Sequence, residues 1–328
     1  SGVPKLNDDD TVDVEFFVDA GKRAYVRRIT FTGNELTQDE VMRREVRQME
    51  AGWASTAQID LSKVRLERLG YFKGVEVETP QVPGTDDQID VEFAVEEQPS
   101  GAISGTLAYS QGYGLILGAN YQQSNLQGSG NSLSVGLSYS EYQQSVNFNY
   151  FDPYFTLDGI SRGYNVFFRR LDYDARNIAR YSTHSAGGGV TFGFPIGETQ
   201  RINFGLNVEH TEIREGFAAA QEISEFIERN GPDALNFKAN LSWIRSTLNR
   251  GVFADRGSSQ SIGVTFSAPG SDLEFYRLTY QGEKYFPLTQ LFTLKLRTEL
   301  GYGDSYGDTS ALPFYEHFFA GGFGSIRG

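Results

Sequence analysis

The sequence predicts a small α+β module followed by an antiparallel transmembrane β-barrel that is incomplete within this chain. Three observations predict it. Helix signals concentrate before Pro99. Beyond Pro99, apolar and polar residues alternate with period two, as in strands whose two faces meet different surroundings. The composition combines 14% aromatic residues with 37 glycines and only 2 methionines. Membrane barrels show that bias, because aromatic girdles line both interfaces and glycine eases strand curvature.

Bulk quantities narrow the classes of function. A chain of 328 residues allows two domains. Its 39% hydrophobic content is a little low for a globular chain of this size. A net charge of −13 repels nucleic-acid phosphates, so nucleic acid is set aside as a partner. Cysteine is absent, which removes disulfide, zinc-thiolate and thiol-nucleophile chemistry and leaves the compartment open. No run approaches the roughly 20 apolar residues of a spanning helix, so any crossing is made by strands. No signal peptide opens the chain, which is expected to be part of a longer protein.

In the module, Thr37 and Glu40 read as a capping box before Val41 to Val46. Ser55 and Gln58 read as a second, before Ile59, Leu61, Val64, Leu66 and Leu69 at helical spacing, with Gly70 as the stop. Strands are expected over Tyr25 to Thr32, Val75 to Thr79 and Ile89 to Val95. The order strand, helix, helix, strand, strand makes a compact unit. An internal repeat supports it: Asp10 to Val18 matches Asp87 to Val95 at an offset of 77 residues, with seven of nine positions identical or conservatively replaced. The first copy is expected to be the last strand of a preceding module, so that at least two modules stood in tandem.

After Pro99 the alternating segments recur up to Gly301. Leu133, Val135, Leu137 and Tyr139 alternate with serines and a glycine; Ile202, Phe204, Leu206 and Val208 with Asn203, Gly205 and Asn207; Phe292, Leu294 and Leu296 with Thr293, Lys295 and Arg297. A soluble sandwich also alternates, but the length and repetition favour lipid on one face. Arg201, Glu209, Lys238, Lys295, Arg297 and Glu299 would line an aqueous lumen. About eleven strands fit before the chain ends, an odd number that cannot close a bacterial barrel. Short turns are expected after even strands, at Asn125–Gly130, Pro153–Gly163, Pro195–Arg201, Asn249–Gly257 and Pro287–Gln290. Longer loops belong after odd strands; the clearest is Arg214 to Leu235, with a helix-like stretch from Phe217 to Glu228 ended by Gly231 and Pro232.

Particular motifs then become recognisable. The module carries Ile29-Thr-Phe-Thr-Gly-Asn34, Arg43-Arg-Glu-Val-Arg-Gln-Met-Glu50 and Leu69-Gly-Tyr-Phe72. The barrel carries Asp152-Pro-Tyr-Phe155, Leu248-Asn-Arg-Gly251, Ala268-Pro-Gly-Ser-Asp272, Pro313-Phe-Tyr-Glu-His-Phe-Phe-Ala-Gly-Gly322 and Ile326-Arg-Gly328. In this order they resemble the family of outer-membrane β-barrel assembly proteins, which join POTRA domains to a sixteen-stranded barrel. The last segment resembles the start of the family's VRGF-type motif, with Ile in place of Val. The resemblance divides the chain into residues 1–22 (the last strand of a preceding POTRA domain and a linker), 23–98 (the barrel-proximal POTRA domain, fifth of five) and 99–328 (the first part of the barrel). It implies an outer-membrane protein with its POTRA domain in the periplasm, which folds and inserts other β-barrels without ATP. The implied partners are periplasmic lipoproteins of the assembly complex, unfolded outer-membrane protein clients and the lipid bilayer. No cofactor is expected.

Three candidate sites follow. By resemblance, Ile326, Arg327 and Gly328 belong to a loop that folds back into the lumen, where Arg327 grips inward-facing acids through its fixed fork of donors; alternatively Arg327 is a solvated residue of a glycine-rich loop. The first barrel strand, Gly101, Ala102, Ile103, Ser104, Gly105, Thr106, Leu107, Ala108 and Tyr109, is one side of the barrel seam. In the family that seam opens sideways and offers unpaired backbone groups to a client strand. The small residues Gly101, Ser104 and Gly105 would weaken packing there, or merely permit curvature. Arg43, Arg44, Arg47 and Glu50 match the place where the family docks a lipoprotein; a solvated helix face is the other reading.

His184, His210 and His317 lie on separate segments, with no metal or triad spacing, and no nucleophile motif or phosphate loop is present. The chain is therefore not expected to be an enzyme. Alternatives are a two-partner-type secretion translocator exporting a polypeptide through its barrel, a passive porin and an outer-membrane hydrolase. A porin would lack the α/β module, and a hydrolase would need a catalytic cluster.

Overall fold

The computed structural model describes residues 2–6, 12–16, 23–110, 114–176, 179–250, 253–289 and 292–318. Two units are compact by themselves: residues 1–99 with 127–129, and residues 100–126 with 130–328.

In the first unit, β1 (Gly2–Leu6) and β2 (Val12–Phe16) pair antiparallel. The strand read from the repeat is thus present, with a partner that the repeat did not disclose. There follow β3 (Tyr25–Thr32), α1 (Asp39–Arg43), α2 (Thr56–Arg68), β4 (Phe72–Glu78) and β5 (Gln88–Glu97). The sheet order is β3-β5-β4, with β5 parallel to β3 and antiparallel to β4. Central β5 buries Val91, Phe93 and Val95 at alternate positions. They pack with Val26 and Ile29 of β3, Met42 of α1, and Ile59 and Leu66 of α2.

Two expectations for the module need correction. Thr37 does not cap a helix running to Val46. Its backbone N–H is taken by Glu97 Oε1 at 2.7 Å, Gln38 stands at the N-cap without a side-chain bond, and α1 ends at Arg43. Tight bonds from Glu45 N–H to Met42 O and from Val46 N–H to Arg43 O close the turn there. In α2 the Ser55 hydroxyl does accept from Gln58 N–H, but Leu61 and Val64 are exposed. The buried stripe runs through Ile59, Ser62 and Leu66. Ser62 is hidden from a hydrophobic pattern; it fits the core because its hydroxyl donates to Gln58 O and accepts from Arg47 N–H.

In the second unit, eleven strands form one antiparallel sheet in sequence order. They are β6 (Gly101–Ser110), β7 (Gly114–Gln123), β8 (Ser132–Tyr139), β9 (Gln143–Asp152), β10 (Ser161–Asp172), β11 (Tyr181–Gly197), β12 (Gln200–Glu215), β13 (Asp233–Ser246), β14 (Gly257–Ser267), β15 (Phe275–Pro287) and β16 (Thr293–Ser305). The longest connection, from Glu215 to Asp233 after β12, falls where expected, but short and long do not alternate: β6 ends at Ser110 with β7 starting at Gly114, and β8 ends at Tyr139 with β9 starting at Gln143, both tighter than the connections after β7 and β9. The turn after β11 is tighter than expected, since β11 runs to Gly197 and β12 starts at Gln200. The helix of the long loop, α3 (Gln221–Asn230), begins later than Phe217. Ala218 has φ +56°, outside the right-handed helical region, so the helix cannot include it. Gly231 at φ +83° ends it.

One face of the sheet is apolar and open: Leu137, Phe148, Val166, Leu206, Phe237, Val264, Leu278 and Leu296 are all exposed. Such a band is compatible with water only at great cost and matches the lipid-facing surface of a membrane barrel. The alternate positions carry the polar and charged residues of the lumenal face.

Candidate functional site

The seam strand β6 pairs with β7 from Gly101↔Gln123 to Ser110↔Gly114, and it forms an edge of the sheet. Gly101 to Tyr109 are all exposed, Ile103 by 83%. The base of the strand is fastened: Gln123 Nε2 donates to Ser100 Oγ at 2.7 Å, and Ser124 donates to Ser100 O through its N–H at 2.9 Å and its hydroxyl at 3.0 Å. Strands near this edge are short. β8 has 8 residues, against 17 in β11, so fewer ladder bonds hold the wall beside the seam.

Arg43, Arg44, Arg47 and Glu50 are brought together around the turn after α1. Glu50 Oε1 accepts from Ile29 N–H at 2.8 Å and from Arg43 Nη1 at 3.3 Å, while Arg43 Nη2 reaches Ile29 O at 3.3 Å. Arg43 and Glu50 therefore satisfy the backbone of β3, a sheet edge, while each side chain stays about half exposed. Arg47 Nη1 donates to Arg44 O at 3.1 Å. Arg43 and Glu50 are thus tied to the sheet, whereas Arg47 is tied to the turn itself. Ile326, Arg327 and Gly328 lie outside the described residues.

Inside the sheet, the structure assembles a group that the sequence displayed only in part. Lys238 of β13 is bonded to Glu209 of β12 at 2.8 Å and to Glu316 at 2.9 Å; Glu316 also takes Arg277 of β15 at 2.6 Å. Glu209 and Lys238 were legible as lumenal through alternation. Glu316 and Arg277 were not, because the contact joins a loop to strands 39 and 78 positions earlier in the chain. Lys295 pairs with Glu283 at 2.9 Å, and Arg297 with Glu299. The three histidines stay apart from any metal-like cluster among the described residues.

An α/β module of POTRA type followed by an antiparallel barrel wall with a charged interior defines an outer-membrane POTRA–barrel protein. The Omp85 superfamily domain matches residues 125–328, and the POTRA family described as surface antigen variable number repeat matches residues 24–98. The chain belongs to the Omp85 superfamily. It is 35% identical over 328 residues to the outer membrane protein assembly factor BamA of Neisseria meningitidis serogroup B, covering 97% of this chain and 41% of that relative. The crystal structure of Haemophilus ducreyi BamA lacking POTRA domains 1–3 is similar with a TM-score of 0.78 at 35% identity, covering all of this chain and 64% of that one. CdiB from Acinetobacter baumannii, at 13% identity and a TM-score of 0.52 over 93% of this chain and 56% of its own, shares the fold. The chain thus spans less than half the length of the meningococcal relative. Its place is the outer membrane, with the POTRA domain in the periplasm.

Proposed function

We propose that the protein carrying this chain folds and inserts β-barrel proteins into the outer membrane. The observation that carries this reading is the 35% identity to an assembly factor along 97% of the chain, POTRA domain and barrel wall alike. The finer mechanism we assign is strand templating at β6, without ATP and without covalent chemistry. Gly101, Ser104 and Gly105 present little side chain, and the short strand β8 lies one strand away from β6. An opened seam would expose the N–H and C=O groups of β6, and a client strand would satisfy them by β-augmentation. Periplasmic lipoproteins are proposed to dock at Arg43, Arg44, Arg47 and Glu50; the half-exposed charges of Arg43 and Glu50 are already held in place by the β3 backbone. Arg327 is proposed to grip acids of the lumen. Secretion of a polypeptide through the barrel is the weaker alternative, since the likeness to CdiB is one of fold.

The test is site-specific crosslinking. This chain contains no cysteine, so with any cysteines outside it replaced by serine, single cysteines along Gly101 to Tyr109 of the full-length protein report only that strand. Adducts with a stalled client at alternating positions are expected. A client that crosslinks only to lumenal residues such as Arg297 would favour export instead.

A further inference from the structure

The segment after β16 lies in a receptor built into the lumenal wall. Glu316 supplies one carboxylate to two cations on different strands, Lys238 at 2.9 Å and Arg277 at 2.6 Å. All three side chains are largely buried: Lys238 is 10% exposed, Glu316 15% and Arg277 26%. Lys238 has a second acid in Glu209, whereas Arg277 pairs with Glu316 and its Nε is buried with no hydrogen-bond partner among the described residues. Withdrawing Glu316 would strand a buried guanidinium, a far costlier state than loss of a surface pair.

Two further contacts fit the same segment to the wall. The Phe318 ring lies over Gly301 of β16, where an added Cβ would sit 2.6 Å from it, and under the Arg277 guanidinium at 4.7 Å. Phe314 meets Tyr181 of β11 and Phe226 of α3 edge-on, at 4.7 and 5.3 Å between centroids. The loop is therefore keyed to the wall by an aromatic knob on each side of one shared carboxylate.

We propose that Glu316 is a positioning residue for assembly, clamping the segment from Phe314 to Phe318 to Lys238 of β13 and Arg277 of β15. The positioning role rests on the assembly reading; the clamp itself does not. A charge centred between two strands restrains the loop in two directions, which apolar packing alone does less sharply.

The experiment uses the full-length protein in lipid vesicles, with a spin label on Ser310→Cys and any cysteines outside this chain replaced by serine. Glu316→Gln is expected to lower the docked-to-undocked ratio of the loop by about tenfold or more, read as a mobile label component. The barrel should remain heat-modifiable, and client insertion should slow with the undocked fraction. Where Glu316→Gln gives no folded barrel, Glu316→Asp keeps the charge with a shorter reach and is expected to show intermediate mobility. An unchanged label in either single variant overturns the clamp. A freed label with an unchanged insertion rate overturns the positioning role. If the unaltered protein inserts no client, the assembly reading and the positioning role both fall, and the label shows whether the clamp still stands.

Discussion

Glu97, the last residue of β5, is a keystone of the module that can be tested quantitatively. Its Oε2 accepts from Glu35 N–H at 3.2 Å and Leu36 N–H at 3.0 Å, and its Oε1 from Thr37 N–H at 2.7 Å. One carboxylate thus organises the loop between β3 and α1, where Gln38 offers no cap of its own. In Glu97→Gln the amide oxygen can keep the first two bonds, but its NH2 then faces the Thr37 N–H. Leu36 is exposed, whereas Thr37 is only 3% exposed, so water can replace the lost bonds unequally. Stranding one buried donor costs roughly 1–3 kcal/mol, and loss of the charge weakens the other two bonds. We expect Glu97→Gln to destabilise the module by about 2 kcal/mol at neutral pH. The sequence has two tryptophans, so Trp243→Phe leaves Trp53 as the reporter of module unfolding by urea. Burial raises the Glu97 pKa, but the hydrogen bonds from Thr37, Leu36 and Glu35 outweigh it and the net shift is downward. The stabilisation is therefore complete above the unfolded value of about 4.3 and is lost as the pH falls through the lower folded value. The gap between wild type and Glu97→Gln should close over that acid range. A difference below about 0.5 kcal/mol at pH 7, or one that persists unchanged in acid, would refute the reasoning.

Other perturbations test other links. Gly33 has φ +84°, and an added Cβ would lie 2.1 Å from Val95 O, so Gly33→Ala should destabilise the module by about 2 kcal/mol or more in the same urea assay. Phe148 and Asn149 are neighbours on opposite faces of β9; Phe148→Lys should cost roughly 2–4 kcal/mol of barrel stability in lipid and Asn149→Lys little, measured by folding titrations in vesicles. Glu50→Gln should lose the charge that holds Arg43 and weaken lipoprotein binding in a pull-down, while Trp53 fluorescence reports whether the module stays folded.

Much of this architecture was legible because it is local or periodic. Alternation alone marked the faces of the sheet: the side-chain period of a strand is two, so Leu137 and Phe148 had to share a side that Ser138 and Asn147 could not. Loop length did not follow from the same counting: the connections after β6 and β8 are tighter than those after β7 and β9. Local chemistry was less safe. The Thr37 capping box failed because Glu97, 60 positions away, claims the same N–H, and the α2 stripe was misread because Ser62 is buried by virtue of its bonds.

By itself, then, the sequence determined the module, the barrel wall and the polarity of its faces, since each depends on neighbours along one strand or helix. Its motifs pointed to the seam and to the Arg43–Glu50 group. Only the tertiary structure decided that Glu50 also serves the β3 backbone, that Glu97 organises a loop, and that Glu316 joins Lys238 and Arg277. Those are pairings between distant segments, and no period or spacing encodes which buried charge will meet which.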